Sequence, residues 1–344
     1  MTGGDVGLRL WAGAGVLVAA AVLSAVLIVL LLPLLRRHAL AQPNARSSHR
    51  EPTPQGGGIA VIAATILVTI GGAAVLGDLH AAAGAEVLAV LAATAFIAVI
   101  GGIDDLRPLP VAPRFILQIL AIAVAIASMP AEVRIVASVP WWAERLCLLL
   151  GLLWFVNLVN FMDGIDWMTV AEAVPLTASV ALLGQLGTLA PASTILALAL
   201  LGAMLGFAPF NKPAARLFLG DVGSLPIGLL LGWLLLLLAR DGQPAAALLL
   251  PLYYLADATV TLLRRIAAGE PFWQAHRSHF YQRAGDMGFT VPEIVGRVFA
   301  TNLALAALAF VTVARPGAAV SVGSLLIGSA LVAGLLFTFA RKKR

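Results

Sequence analysis

From residue 11 to residue 340 the sequence is a train of apolar runs divided by short polar punctuation, and each run approaches the roughly 20 residues a helix needs to cross a bilayer. The runs lie at 11–35, 57–77, 82–103, 113–129, 143–159, 168–187, 190–210, 222–239, 244–263, 295–314 and 318–340. With 61% of residues hydrophobic and 11% charged, a soluble fold could not cover its own surface. In lipid, backbone polar groups must be paired inside the segment, which leaves helices as the solution for runs this long. The expected fold is an all-α polytopic integral membrane protein of about eleven transmembrane helices, forming a single domain over residues 1–344. The thinnest dividers are residues 187–190 and 315–317.

Charge sets the expected orientation, because loops rich in Lys and Arg stay on the cytoplasmic side. With the N-terminus periplasmic and the C-terminus cytoplasmic, seventeen of the 22 basic residues fall inside. The five left outside are Arg9, Arg134, Arg145, Arg240 and Arg315. The same orientation gathers Asp104, Asp105, Asp163, Asp166 and Asp221 on the inner face, although the runs were drawn from apolarity alone. The net charge of +5 then reflects topology and attraction to anionic headgroups, and nucleic acid is excluded as a partner. Cys147 is the only cysteine, so neither a disulfide framework nor a Cys-type zinc site can form. Arg9 precedes a run too long for a signal peptide, and that run reads as the first span. Trp141 and Trp142 read as interfacial anchors.

Five inner loops, near 36–56, 104–113, 160–167, 211–221 and 264–294, depart from generic membrane sequence. The first ends in Pro52-Thr53-Pro54-Gln55-Gly56-Gly57-Gly58, where side-chain-free residues would let a helix start approach an anion. A plain breaker-rich turn fits these residues as well. The second loop opens with Asp104-Asp105 and continues through Arg107 to Arg114. Acids at a membrane boundary are costly unless a cation or substrate uses them, and acids beside arginines suit a metal ion held together with phosphates. In the third loop Asn157, Asn160 and Asp163 follow at helical spacing, with Asp166 after a Gly164 turn. Four oxygen-bearing side chains in ten residues suggest metal and substrate ligands. The fourth loop carries Lys212 and then Gly220-Asp221, where an aspartate at a helix start is ordinarily an N-cap. The fifth holds His276, Arg277, His279 and Arg283, a set better suited to phosphate or sugar than to zinc. Asp257, in the ninth run, either serves the site or pairs with Arg264.

Taken in order, these five motifs resemble the inner loops of the bacterial polyprenyl-phosphate N-acetylhexosamine-1-phosphate transferases, glycosyltransferase family 4. The likeness is closer to the enzymes that start O-antigen or enterobacterial common antigen than to phospho-MurNAc-pentapeptide translocase, because the triple histidine of the latter is missing. The resemblance implies magnesium, with manganese as a substitute, held by Asn160 and Asp221. It implies Asp104 and Asp105 as the acidic pair at the reaction centre, with Asp163 as a further catalytic acid. Arg114 would meet the lipid phosphate and Asp166 the nucleotide end. His276, Arg277, His279 and Arg283 would close over sugar and pyrophosphate, and Asn157, Lys212 and His49 complete the expected substrate-binding set. Trp167 stands where the family often has glycine.

The implied reaction transfers an N-acetylamino-sugar-1-phosphate from a UDP-sugar to undecaprenyl phosphate, releasing UMP at the cytoplasmic face of the bacterial inner membrane. The expected partners are the polyprenyl phosphate, the UDP-N-acetylamino sugar and the bilayer, with a homodimer admissible. Single displacement is favoured over an aspartyl-phosphate route, since the lipid phosphate is itself a competent nucleophile. The competing reading is a membrane transporter that uses intramembrane carboxylates such as Glu172 and Asp257.

Overall fold

The computed structural model describes residues 3–41, 52–76, 82–271 and 276–343. Among them the apolar runs fold as helices: α1 (Gly3–His38), α2 (Gly57–Val75), α3 (Ala82–Leu106), α4 (Val111–Ala127), α5 (Trp141–Met162), α6 (Met168–Gln185), α7 (Pro191–Phe207) and α8 (Asp221–Arg240). The remainder form α9 (Pro244–Leu249), α10 (Leu252–Ala267), α11 (Phe280–Asp286), α12 (Val291–Ala314) and α13 (Ala318–Phe339). Two short strands, β1 (Leu40–Ala41) and β2 (Thr53–Pro54), pair antiparallel beside the start of α2. The protein is an all-α, multi-pass membrane protein.

Each of the eleven runs is helical, though not every one is a single long helix. Eight helices among the described residues are long and apolar enough to cross a membrane, while α4 and α7 are 17 residues each. The ninth run is not one helix but two, of 6 and 16 residues, parted at Pro251. Proline has no N–H to donate, and its ring clashes with the preceding turn.

Chain punctuation sets the other ends. Pro108 and Pro110 stop α3 and separate it from α4, because a residue before proline is driven out of helical geometry. Pro191 starts α7 at a position where a missing N–H costs nothing. Pro175 lies inside α6 and leaves the carbonyl of Ala171 without its i+4 donor. Asn302 of α12 fills that vacancy, its amide nitrogen donating to the Ala171 carbonyl at 2.9 Å and to Glu172 at 2.7 Å. This staple pins α12 to α6 and accounts for Glu172 in the apolar interior without any transport path.

α8 is the hub of the bundle. It packs against α2, α3, α5, α6 and α9, and 89% of its most apolar window is buried, against 22% for α1 and 28% for α13. Lipid offers no hydrophobic gain for helix association, so close packing must come from small residues. At Gly58 of α2 a Cβ would sit 2.2 Å from the Cα of Gly223 on α8, so these two backbones touch directly. The outer faces of α1 and α13 present Val22, Val26, Leu30, Leu326, Ile327 and Leu331, as a lipid-facing rim requires.

Candidate active site

The end of the bundle where α3 and α5 finish and α8 begins encloses a cavity of about 220 Å³. Its lining includes Asp105, Asn160, Asp163, Asp166 and Asp221, together with Gln55, Asn211 and the 218–220 backbone. Five of the residues expected from sequence thus converge, contributed by segments more than 100 residues apart.

Asp105 is the keystone. Its two carboxylate oxygens accept the backbone N–H groups of Asp221 at 2.9 Å and Val222 at 3.0 Å, the first two residues of α8. Those donors have no partner within their own helix, and a carboxylate is favoured there by the helix dipole. The plain alternative for Asp221, that it is simply the N-cap of α8, does not hold. The structure gives the cap position to Gly220, at φ +77°, and the capping carboxylate to a different helix. A Cβ on Gly220 would lie 2.6 Å from Asp105, so the left-handed turn and the close approach both require glycine. Gln55 completes the joint by donating to the Asp105 carbonyl at 3.0 Å.

Asp104 faces the other way. It accepts the Leu109 N–H at 2.6 Å and the Arg114 guanidinium at 2.7 Å, which fixes the α3–α4 connection. Arg114 also stands 3.9 Å from Asp221. Across the cavity Asn160 donates from its amide nitrogen to Asp221 at 2.7 Å and to Ser224 at 2.8 Å.

Asp163 follows the last residue of α5 and accepts the Thr169 hydroxyl at 2.5 Å. Burial pushes its carboxyl up to about 8, and the charges of Asp221, Asp105 and Asp166 add to the rise against the lowering effect of Thr169. Asp166 accepts the Ala215 N–H at 2.9 Å. Trp167 occupies the left-handed region at φ +62°, its backbone N–H donating to Asn211 at 2.8 Å and its indole to the Ala208 carbonyl at 2.6 Å. The unusual tryptophan therefore ties the 163–167 turn to the loop that walls the cavity.

Several expected contacts lie elsewhere. Asn157 is buried and donates to Gln118 of α4 at 2.8 Å, one turn deeper than the cavity. Lys212 is exposed on the wall loop. His276 bonds to Ser278 at 2.8 Å, Arg277 reaches Asp286 at 3.2 Å, and His279 is buried. None of these residues, nor Arg283, is among those that line the cavity. His49 lies outside the described residues. The glycines of the first loop do not approach an anion, since the N–H groups of Gly57 and Gly58 donate to the carbonyls of Phe218 and Leu219 at 2.9 Å each. Asp257 does not pair with Arg264, which stacks over Phe280. Gln55, Thr169, Asn211 and Tyr281 were missed, because single polar residues carry no signal until tertiary contacts bring them in.

The geometry can be set beside known proteins. The chain is 25% identical over 291 residues to a probable undecaprenyl-phosphate N-acetylglucosaminyl 1-phosphate transferase of Bacillus subtilis, covering 80% of this chain and 78% of the relative. It is 28% identical to a decaprenyl-phosphate N-acetylglucosaminephosphotransferase of Mycobacterium leprae, over 76% and 73% of the two chains. A phospho-N-acetylmuramoyl-pentapeptide-transferase of Limosilactobacillus reuteri is 30% identical over a shorter stretch, 36% of this chain and 38% of that one. Residues 87–239, a little under half of the chain, match the model of glycosyl transferase family 4, and that span holds Asp104, Asp105, Asp163, Asp166 and Asp221.

Proposed function

We propose that the protein transfers an N-acetylamino-sugar-1-phosphate from a UDP-sugar to a polyprenyl phosphate, with release of UMP, as the first committed step of a lipid-linked cell-envelope glycan such as O-antigen. The observation that carries this reading is the convergence of Asp105, Asn160, Asp163 and Asp221 on one polar cavity at the end of an otherwise apolar bundle. The names of the relatives supply the reaction class. By the distribution of basic residues, the cavity faces the cytoplasm of the bacterial inner membrane.

The residues fit magnesium better than a caged transition metal. Among the described residues no three His, Cys, Asp or Glu side chains converge as a metal group. Magnesium does not need one: it keeps several waters and binds through one or two carboxylates plus substrate phosphates. Asp221 and the amide oxygen of Asn160 would hold it, since the amide nitrogen is already engaged with Asp221 and Ser224. When bound, the ion would neutralise the facing phosphates and stabilise charge on the departing nucleotide.

The protein's own groups divide the remaining work. Arg114 pairs with Asp104 and sits beside Asp221, where it can meet an incoming phosphate. Asp105 is committed to α8 through both oxygens, which makes it an organiser of the site and a poor nucleophile. Asp163 lines the same cavity, and in its carboxylate form it can take the proton from a monoanionic lipid phosphate. The lipid oxyanion then attacks the sugar-bearing phosphorus and UMP leaves in a single displacement.

The test is UMP release by the purified protein in nanodiscs, with undecaprenyl phosphate, magnesium and a panel of UDP-N-acetylamino sugars. Release that needs both lipid and magnesium is expected. Release without the lipid, or with no sugar in the panel, sinks the reading.

A further inference from the structure

None of the histidines and arginines of the 276–283 segment lines the cavity, so something else must fix where they stand. Asp257 on α10 is completely buried. It accepts the backbone N–H of Phe280 at 2.9 Å and of Tyr281 at 3.1 Å, the first two residues of α11. The hydroxyl of Tyr253 donates to it at 3.0 Å, and the His279 Nδ1 lies 3.4 Å away. A buried carboxylate is costly unless such donors surround it, and here every hydrogen-bond donor but the Tyr253 and Thr261 hydroxyls is a backbone N–H of Phe280 or Tyr281.

The far side of the same short helix is also anchored. The Tyr281 side chain is buried, and its hydroxyl donates to the Phe161 carbonyl at 3.0 Å, two residues before Asp163. It also fills the space over Gly164, where a Cβ would sit 2.1 Å from that hydroxyl oxygen. The His279 ring stacks between Phe161 and Tyr281, with centroid distances of 6.4 and 5.9 Å. The 279–281 stretch is thus held on one side by α10 and on the other by Phe161 and Gly164, which flank Asp163.

We propose that Asp257 and Tyr281 are positioning residues, a two-point clamp that seats the 276–283 segment on the 163–166 turn and so sets how far Arg277 and Arg283 stand from the cavity. The identity of the anion those arginines would meet, the pyrophosphate of a nucleotide sugar, rests on the transferase reading above. The clamp itself does not.

Two measurements on the full-length protein in nanodiscs test it. Asp257→Asn keeps the shape but replaces one acceptor oxygen with a donor that faces backbone N–H groups. Amide hydrogen exchange over 279–283 should speed up by about ten-fold, as expected for loss of a charge-assisted hydrogen bond. The KM for the UDP-sugar should rise by about the same factor, with kcat changing much less. Gly164→Ala should lower thermal stability and activity together, and adding Tyr281→Phe should recover much of both, because the colliding oxygen is removed. Gly164 is not in the left-handed region, and the next neighbours of an added Cβ, the Gln282 amide nitrogen at 3.1 Å and the Tyr281 ring at 3.2 Å, need to give by only a few tenths of an ångström.

Unchanged exchange in Asp257→Asn, or a double variant as impaired as Gly164→Ala alone, overturns the clamp. A wild-type protein that releases no UMP overturns the transferase reading, while the exchange and stability measurements still decide the clamp.

Discussion

The two ends of the bundle handle charge in opposite ways. At the end where α3 starts and α8 finishes, each buried acid has its own cation: Glu86 meets Arg240 at 2.7 Å, and Glu144 meets Arg134 at 2.6 Å while also accepting the Ile135 and Val136 N–H groups. Buried Arg145 is satisfied by the carbonyls of Pro130 and Val133. At the cavity end, among the described residues, Arg114 bonds to Asp104 and stands 3.9 Å from Asp221, while Asp105, Asp163 and Asp221 accept hydrogen bonds from backbone N–H groups, a hydroxyl and an amide. Acids matched to cations at one end and held by neutral donors such as those on Asp105 and Asp163 at the other mark the second end as the place where positive charge arrives from outside.

Three substitutions break or sharpen that contrast. The largest effect belongs to Asp221→Ala, expected to cut magnesium-dependent UMP release by about a thousand-fold or more while the protein still purifies as a folded species. Near-normal turnover across a magnesium titration would remove Asp221 from the metal site. Next, Glu144→Gln at the paired end should destabilise the protein by about 3 kcal/mol or less and leave kcat within a factor of two. A large fall in kcat there would mean that the two ends are not functionally separate.

The smallest effect is read from pH. A carboxyl whose folded pKa is raised to about 8 contributes stability that is fully present below its unfolded value near 4 and is lost as pH rises through 8. Asp163→Asn, neutral at every pH, should therefore match the wild type in melting temperature at pH 4. It should gain a few degrees over it by pH 8 in EDTA, with the gap closing when magnesium is added to the wild type. A gap that does not depend on pH would contradict the raised value.

Much of this was legible in the sequence, for a physical reason. Lipid makes acids expensive, so Asp105, Asp163, Asp166 and Asp221 at the ends of apolar runs stood out, and basic loops placed them on one side. What stayed hidden depended on contacts between distant segments. The cap of α8 comes from Asp105 of α3, 116 residues away, and local pattern could only nominate Asp221. The glycines at 56–58 read equally as an anion seat or a turn, and only the closeness of Gly223 shows that they serve helix packing. Asn157 and Asn160 share helical spacing, yet one faces Gln118 of α4 and the other Asp221 of α8, because α5 is flanked on both sides. The break at Pro251 was visible as a residue but lost in an apolar average.

The carboxylate of Asp105 on the amino end of α8 has one more consequence. Helix beginnings are the usual cradle for phosphate groups, and here the beginning that borders the cavity is already occupied by a side chain of the protein. The start of α2 is likewise closed by neighbouring carbonyls. Under the transferase reading an entering diphosphate finds no main-chain nest at these two helix starts, so its charge would be met by a divalent ion, which can leave with the product, and by side chains such as Arg114.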